Sequence, residues 1–235
     1  FGNVEYGSDI SLKDLRKYYH QVMFSTGAPF DRDLGVPGED LEGCFSATEF
    51  VAWYNGHPDF ADRKFDLSQE NVVIVGVGNV AMYVARMLCK THDELSVTDV
   101  ADHALVALKN SKVKNVYILG RRGPAQAAFT PPEIKELGEF EDADVTVPSE
   151  EAKVDAASLA LIENDKNALK NINFISEYAD RRLEGKSRLL TIRVLVSPIE
   201  LIGEDGKVKA VKVVKNKLVE NQDGGLKPVA SEETE

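Results

Sequence analysis

Asn71-Val72-Val73-Ile74-Val75-Gly76-Val77-Gly78-Asn79-Val80-Ala81, running on into Met82-Tyr83-Val84-Ala85-Arg86-Met87-Leu88, decides the fold of this chain. Four β-branched residues lead into a glycine pair, and apolar residues then recur at helical spacing (Val80, Val84, Met87, Leu88), so the stretch predicts strand, tight turn and helix. In that context Gly76 makes the turn, Gly78 lets the backbone approach a pyrophosphate, and Ala81 takes the third small position, where helix packs on strand. A phosphate would sit at the helix N-terminus, facing free N–H groups and the positive end of the dipole. An ordinary tight strand-to-helix connection would use the same glycines, so the reading needs a second signal. Asn115-Val116-Tyr117-Ile118-Leu119 supplies it: another buried-type strand, ending in Gly120-Arg121-Arg122-Gly123. The end of the second strand of a dinucleotide fold reads the adenosine ribose, where an acid accepts from a 2′-hydroxyl and arginine pairs with a 2′-phosphate. Two arginines without a carboxylate favour NADP over NAD; the alternative is a solvated strand end. The usual spacing of about 20 residues is exceeded, which implies an inserted helix, roughly Thr98 to Ser111, with Val100, Ala104, Leu105 and Leu108 on one face.

The chain has 235 residues, 43% of them hydrophobic, and a net charge of −11. That is a globular composition, disfavours nucleic acid as a partner and makes local basic pairs conspicuous. No apolar run approaches the ~20 residues that span a bilayer. Two cysteines, Cys44 and Cys89, are expected as free thiols, and no Cys/His cluster suggests a metal. The chain starts at Phe1 within an apparent strand, which suggests a piece of a longer polypeptide whose targeting segment would not be seen.

Val4-Glu5-Tyr6 predicts a short strand, and Ser11 an N-cap for a helix with Leu12, Leu15 and Tyr19 on one face. Gln21-Val22-Met23-Phe24-Ser25-Thr26-Gly27-Ala28 predicts a strand and glycine turn, followed by a Pro/Gly connection at Val36-Pro37-Gly38. Ser46 would cap a helix over Ala47 to Tyr54 that closes at Asn55-Gly56, with Trp53 and Tyr54 as packing residues. These segments, with Phe50-Val51-Ala52-Trp53-Tyr54-Asn55-Gly56, the Gly76 to Arg86 fingerprint and Gly120-Arg121-Arg122-Gly123-Pro124-Ala125-Gln126-Ala127-Ala128-Phe129-Thr130, resemble the adrenodoxin reductase (ferredoxin-NADP reductase) family. That family's motifs run F-V-G-W-Y-N-G, G-Q-G-N-V-A-L-D-V-A-R and G-R-R-G-P-L-Q-V-A-F-T.

The resemblance implies an α/β fold: a Rossmann-like NADP-binding domain with a parallel central sheet, helices on both faces and an antiparallel hairpin, plus a short piece of an FAD-binding domain. It places the FAD-domain piece at residues 1–27 and the NADP-binding domain at 28–235. Within the latter lie the fingerprint (71–88), the second strand and arginine pair (115–123), a helical region (141–188) and a hairpin (189–219). It implies NADPH reducing FAD, which passes electrons to a ferredoxin or adrenodoxin-like iron–sulfur protein. Gly76, Val77, Gly78, Asn79, Val80 and Ala81 would hold the pyrophosphate, and Arg121 and Arg122 the 2′-phosphate. Glu133 would contact the ribose, and Val4 is the one inherited flavin contact. Read from the residues alone, Asn79 is equally a helix cap, Glu133 a first-turn acid and Arg86 a surface charge. No catalytic acid or base is expected, since hydride transfer needs aligned rings.

No second glycine fingerprint and no C-terminal flavin motif is present, so this chain by itself is expected to bind NADP(H) yet be colourless and inactive. Residues 141–188 are of mixed charge, and the solvated tail 231–235 is expected to fray. The alternatives are the NADPH module of a glutamate synthase small subunit or thioredoxin reductase, the latter lacking its C-x-x-C here, and a non-catalytic NADP-binding module. The family's eukaryotic members imply the mitochondrial matrix and its bacterial members the cytoplasm.

Overall fold

The computed structural model describes residues 2–27 and 31–235, and the chain divides into two units between Asp31 and Arg32. In the first unit Ser11 and Asp14 form a reciprocal capping box for a helix of only one turn, α1 (Leu12–Leu15), so Tyr19 lies beyond its end and is exposed. The two expected strands are absent: Tyr6 makes an isolated bridge to Ile10, and residues 21–27 carry no regular structure. A strand exists through ladder hydrogen bonds to a neighbour, and among the described residues none runs beside these segments. Ala28, the last residue of the expected strand and turn, lies outside the described residues.

The second unit begins with a Pro/Gly segment that docks on a strand. Leu201 N–H donates to Pro37 O (2.8 Å), and a Cβ on Gly38, whose φ is +84°, would lie 2.1 Å from Leu201 O. Ser46 then accepts from the Glu49 N–H at 3.2 Å and opens α2 (Ala47–Tyr54), which closes through Gly56 at φ +73°. Trp53 and Tyr54 are buried packing residues. Strand β1 (Asn71–Val75) and α3 (Asn79–Cys89) follow as the fingerprint requires.

The helix expected at 98–111 is α5 (Asp102–Lys109), shorter at both ends, and a separate short helix, α4 (His92–Ser96), precedes it. The break has a local cause: both Thr98 N–H and Thr98 Oγ1 bond to Leu95 O, and the next turn is drawn off by Ala101 N–H donating to Tyr54 O. Beyond them come β2 (Asn115–Gly120), α6 (Pro131–Leu137), β3 (Ala143–Thr146), α7 (Ala156–Leu161), α8 (Lys166–Asp180) and β4 (Arg188–Val194). The remaining strands are β5 (Val196–Glu204), β6 (Lys207–Glu220) and β7 (Leu226–Thr234).

A parallel sheet of order β1-β2-β4-β3 carries Ile74, Ile118 and Ile192 side by side in register. With Val116, Leu190 and Val194 they form a buried face covered by α2, α3, α5, α6 and α8. Among the described residues the apolar contact on the opposite face is made by strands. Alternation puts Tyr117 and Leu119 on the other face, where they pack on Val196, Val211 and Val213 of the antiparallel sheet β5-β6-β7. On that same face Val73 and Val75 of β1 are exposed.

Two boundaries shift with this. The region 141–188 is not purely helical, because β3 lies in it, and residues 189–194 belong to the parallel sheet, not to the hairpin. Leu195, at φ +59°, turns the chain between the two sheets. Nor does the tail fray: Glu235 exchanges both backbone hydrogen bonds with Val213 (2.9 Å each), and its carboxylate pairs with Arg193 at 3.1 Å. Burial pushes the thiol of Cys89 up to about 12, and both cysteines are free. Among the described residues no helix is long and apolar enough to cross a membrane.

Asp144, buried in β3, accepts from the backbone N–H groups of Glu184, Gly185 and Lys186 at 3.1, 2.8 and 3.0 Å. Burial alone would raise its pKa, but these three bonds outweigh it and hold it below the ordinary 3.8. A carboxyl with a lowered folded pKa stabilises above its unfolded value and loses that contribution as pH falls through the folded one. Asp144→Ala is therefore expected to cost about 1–3 kcal/mol at pH 7 in urea denaturation. The gap to the wild type should close below pH 3.8.

Candidate functional site

The tight turn after β1 is fixed at both ends. Gly76 has φ +126°, and its N–H donates to Leu119 O at 2.8 Å, tying the end of β1 to β2. Val77 O accepts from Ala128 N–H at 2.9 Å, and a Cβ built on Gly120 would come within 2.6 Å of Val77 Cγ1. Gly120 is glycine because Val77 packs against its backbone. The diglycine turn and the arginine pair that follows Gly120 thus stand side by side at the C-terminal ends of adjacent parallel strands, where ligands bind in open α/β sheets.

Gly78 precedes α3 with no side-chain cap, and nothing lies within 4 Å of where its Cβ would be. The N–H groups of Asn79, Val80 and Ala81 have no helical carbonyl to bond, and the dipole adds partial positive charge at that end. Ala81 is buried where the helix meets the sheet, while Val80 is exposed. Asn79 caps a different helix: its Oδ1 accepts from Thr130 N–H at 2.8 Å and joins the starts of α3 and α6.

Arg121 is exposed and Arg122 partly so. Among the described residues neither guanidinium has an ion pair or a hydrogen bond, whereas Arg86, Arg181 and Arg193 all pair with glutamates. Their backbone, by contrast, is held: Asn216 Nδ2 donates to Arg121 O at 2.8 Å, and Leu195 N–H donates to Arg122 O at 3.1 Å. Sequence reasoning missed both residues. The signal for Asn216 was a buried-type position in Val213-Val214-Lys215-Asn216-Lys217-Leu218 filled by an amide, a residue depleted in strands.

Glu133, in the first turn of α6, lies against α3. Its carboxylate is 3.1 Å from Arg86 and 3.4 Å from Tyr83 Oη, and Arg86 also pairs with Glu136 and stands 5.0 Å over the Tyr83 ring. Arg86 is therefore the counter-ion of two α6 acids and not a loose surface charge. Val4 lies in the other unit and is exposed. An uncapped helix start, an open glycine and two unengaged guanidinium groups form a donor set for an extended, multiply charged anion.

No family model matches the chain. It is 41% identical over 230 residues to the NADPH-ferredoxin reductase FprA of Mycobacterium leprae, covering 95% of this chain and 49% of the relative. To the mitochondrial NADPH:adrenodoxin oxidoreductase of Arabidopsis thaliana it is 55% identical over 137 residues, 58% of this chain and 28% of the relative. The solved structure of Mycobacterium tuberculosis FprA in complex with NADPH superposes with a TM-score of 0.88 at 39% identity, over 99% of this chain and 51% of that one. The chain spans about half the length of the full-length relatives it matches.

The two fingerprint glycines are needed for different reasons, and stability measurements separate them. Gly76→Ala places a Cβ at φ +126° and should cost on the order of 1–3 kcal/mol in thermal or urea unfolding. Gly78→Ala has ordinary φ and open space around it, so unfolding should move by less than about 1 kcal/mol.

Proposed function

We propose that this chain, a homologue of the NADPH-ferredoxin and NADPH:adrenodoxin reductases over about half their length, is the NADPH-binding part of a flavoprotein that passes electrons to a ferredoxin-type iron–sulfur protein. The observation that carries the reading is the placement of the uncapped α3 start beside two arginines that have no ion pair among the described residues. On this reading the turn from Gly76 to Ala81 holds the pyrophosphate: Gly78 admits the backbone, the N–H groups of Asn79, Val80 and Ala81 donate, and Val77 braces the turn on β2. Arg121 and Arg122 supply planar donor forks to the 2′-phosphate. Glu133 accepts from a ribose hydroxyl with its orientation set by Arg86 and Tyr83.

When bound, the two cofactors supply the redox chemistry, a hydride passing from nicotinamide to flavin and single electrons onward. The chain's own part is binding and orientation. Residues 1–27 would belong to the FAD-binding domain, with Val4 as a flavin contact, and 28–235 to the NADP-binding domain; a division of the chain a few residues further on, between Asp31 and Arg32, supports two units. A ferredoxin or adrenodoxin-like iron–sulfur protein is the proposed acceptor, as the names of the relatives suggest. The compartment would be the mitochondrial matrix in a eukaryotic source and the cytoplasm in a bacterial one.

Titration of the purified chain with NADPH and NADH tests this directly. NADPH should bind at least about tenfold more tightly, and Arg121→Ala should lose about 1.5–3 kcal/mol of NADPH affinity while NADH binding stays level. Equal affinities in the wild type would refute the reading. The chain alone should show no flavin absorbance and no reduction of cytochrome through ferredoxin.

A further inference from the structure

The arginine pair is positioned by contacts that neither arginine side chain makes. Asn216 is buried in β6, and its Nδ2 donates both to Arg121 O and to Ser197 Oγ, each at 2.8 Å. Its N–H donates to Leu195 O at 2.6 Å, and the N–H of Leu195 donates in turn to Arg122 O at 3.1 Å. One amide side chain and one peptide therefore hold the carbonyls of both arginines, from a sheet that starts 75 residues further along the chain.

Leu195 adds a second, independent observation. At φ +59° it is one of three non-glycine residues of the described chain in the left-handed region. A branched leucine is held there only where its surroundings over-determine it, and such residues gather at functional sites. Here the surroundings are the arginine loop itself: the leucine's two peptide hydrogen bonds go to Arg122 and Asn216, and its Cδ2 lies 3.8 Å from the Cβ position of Gly123.

We infer that Asn216 is a positioning residue for cofactor specificity: by fixing the Arg121-Arg122 peptide on β5 and β6, it presents the two guanidinium groups to the 2′-phosphate of NADP. This deepens the reading above and rests on it. It also gives the antiparallel sheet a role in recognition. A guanidinium fork discriminates only if its backbone is fixed, because planar, bidentate pairing has a narrow geometry. The rest of the nucleotide is held by the turn after β1, which Asn216 does not touch, so Asn216 acts on the phosphate that separates NADP from NAD.

The test is a set of calorimetric titrations of the full chain with NADP+ and NAD+, with thermal melts alongside. Asn216→Leu keeps the volume and removes the amide donor; Asn216→Ala is the second variant should the first not fold. The expected result is an NADP+ affinity about tenfold weaker and an NAD+ affinity unchanged within about twofold. Ser197→Ala leaves every bond to Arg121 in place and should keep the wild-type ratio. Equal losses for both nucleotides, as a merely structural residue would give, overturn the inference, and so does an unchanged ratio in the Asn216 variants or a collapsed ratio in Ser197→Ala. A wild-type chain without NADP+ preference overturns the underlying reading as well. A preference lost in Arg121→Ala yet intact in both Asn216 variants overturns this inference alone.

Discussion

The parallel pairing of β1 with β2, closed by the Gly76 to Leu119 hydrogen bond and the seating of Val77 on Gly120, is the constraint on which the rest of the site depends. Register sets which residues end together. A slip of one would send Ile74 and Ile118 to opposite faces and bury polar or exposed side chains in their place, so the helical core enforces the alignment. Because the strands end level, the glycine turn and the arginine pair emerge from the same edge, although 42 or more residues separate them in sequence. The inserted helices α4 and α5 lengthen the connection without disturbing its ends, since α5 packs on the same apolar face as α3.

The two faces of the parallel sheet divide the work. The helical face is a conventional core in which Met82, Ile118, Ile134, Leu190 and Ile192 are fully buried. The other face is met by a small antiparallel sheet through Leu119, Val196 and Val213, a much thinner apolar contact. Polar bonds supplement it. Glu151 accepts from Arg193 at 2.6 Å and from Val194 N–H at 2.9 Å, and Arg193 reaches on to Glu235 in the last residue of the chain. Burial drives the pKa of Glu151 up against these bonds, while the same bonds drive that of Arg193 up as well, and a desolvated pair of this kind is weak evidence for net stability.

The parts legible in the sequence were those whose cause is local. Periodicity and glycines found β1, the turn and α3, and Ser46 with Asn55-Gly56 gave α2 to the residue. The parts that were not legible depend on distant partners. β3 is four residues long with an acid inside, and that acid is satisfied by backbone N–H groups about forty residues later. The Ser-Glu-Glu-Thr-Glu tail looks solvated, yet β6 gives it a ladder to join. At 4–6 and 21–27 the opposite holds, a strand-like pattern without a neighbouring strand among the described residues. At the site, the arginines and glycines could be read from their motifs, but the residues that hold the arginines are read only once β6 is seen against the loop.

The proposed anion site lies on a chain of net charge −11, which raises an electrostatic question that local geometry addresses. Screening at physiological ionic strength limits exposed charges to a range of about 8 Å, and two acids of α6, Glu133 and Glu136, lie against α3. Arg86 lies between them, pairs with both and reduces the cluster to a single net negative charge. The dipole of α3 and two arginines that, among the described residues, pair with no carboxylate add positive charge at the C-terminal ends of β1 and β2. Removing Arg86 would leave two glutamates uncompensated against α3; on the proposed reading it holds back the field of these neighbours from the phosphate site.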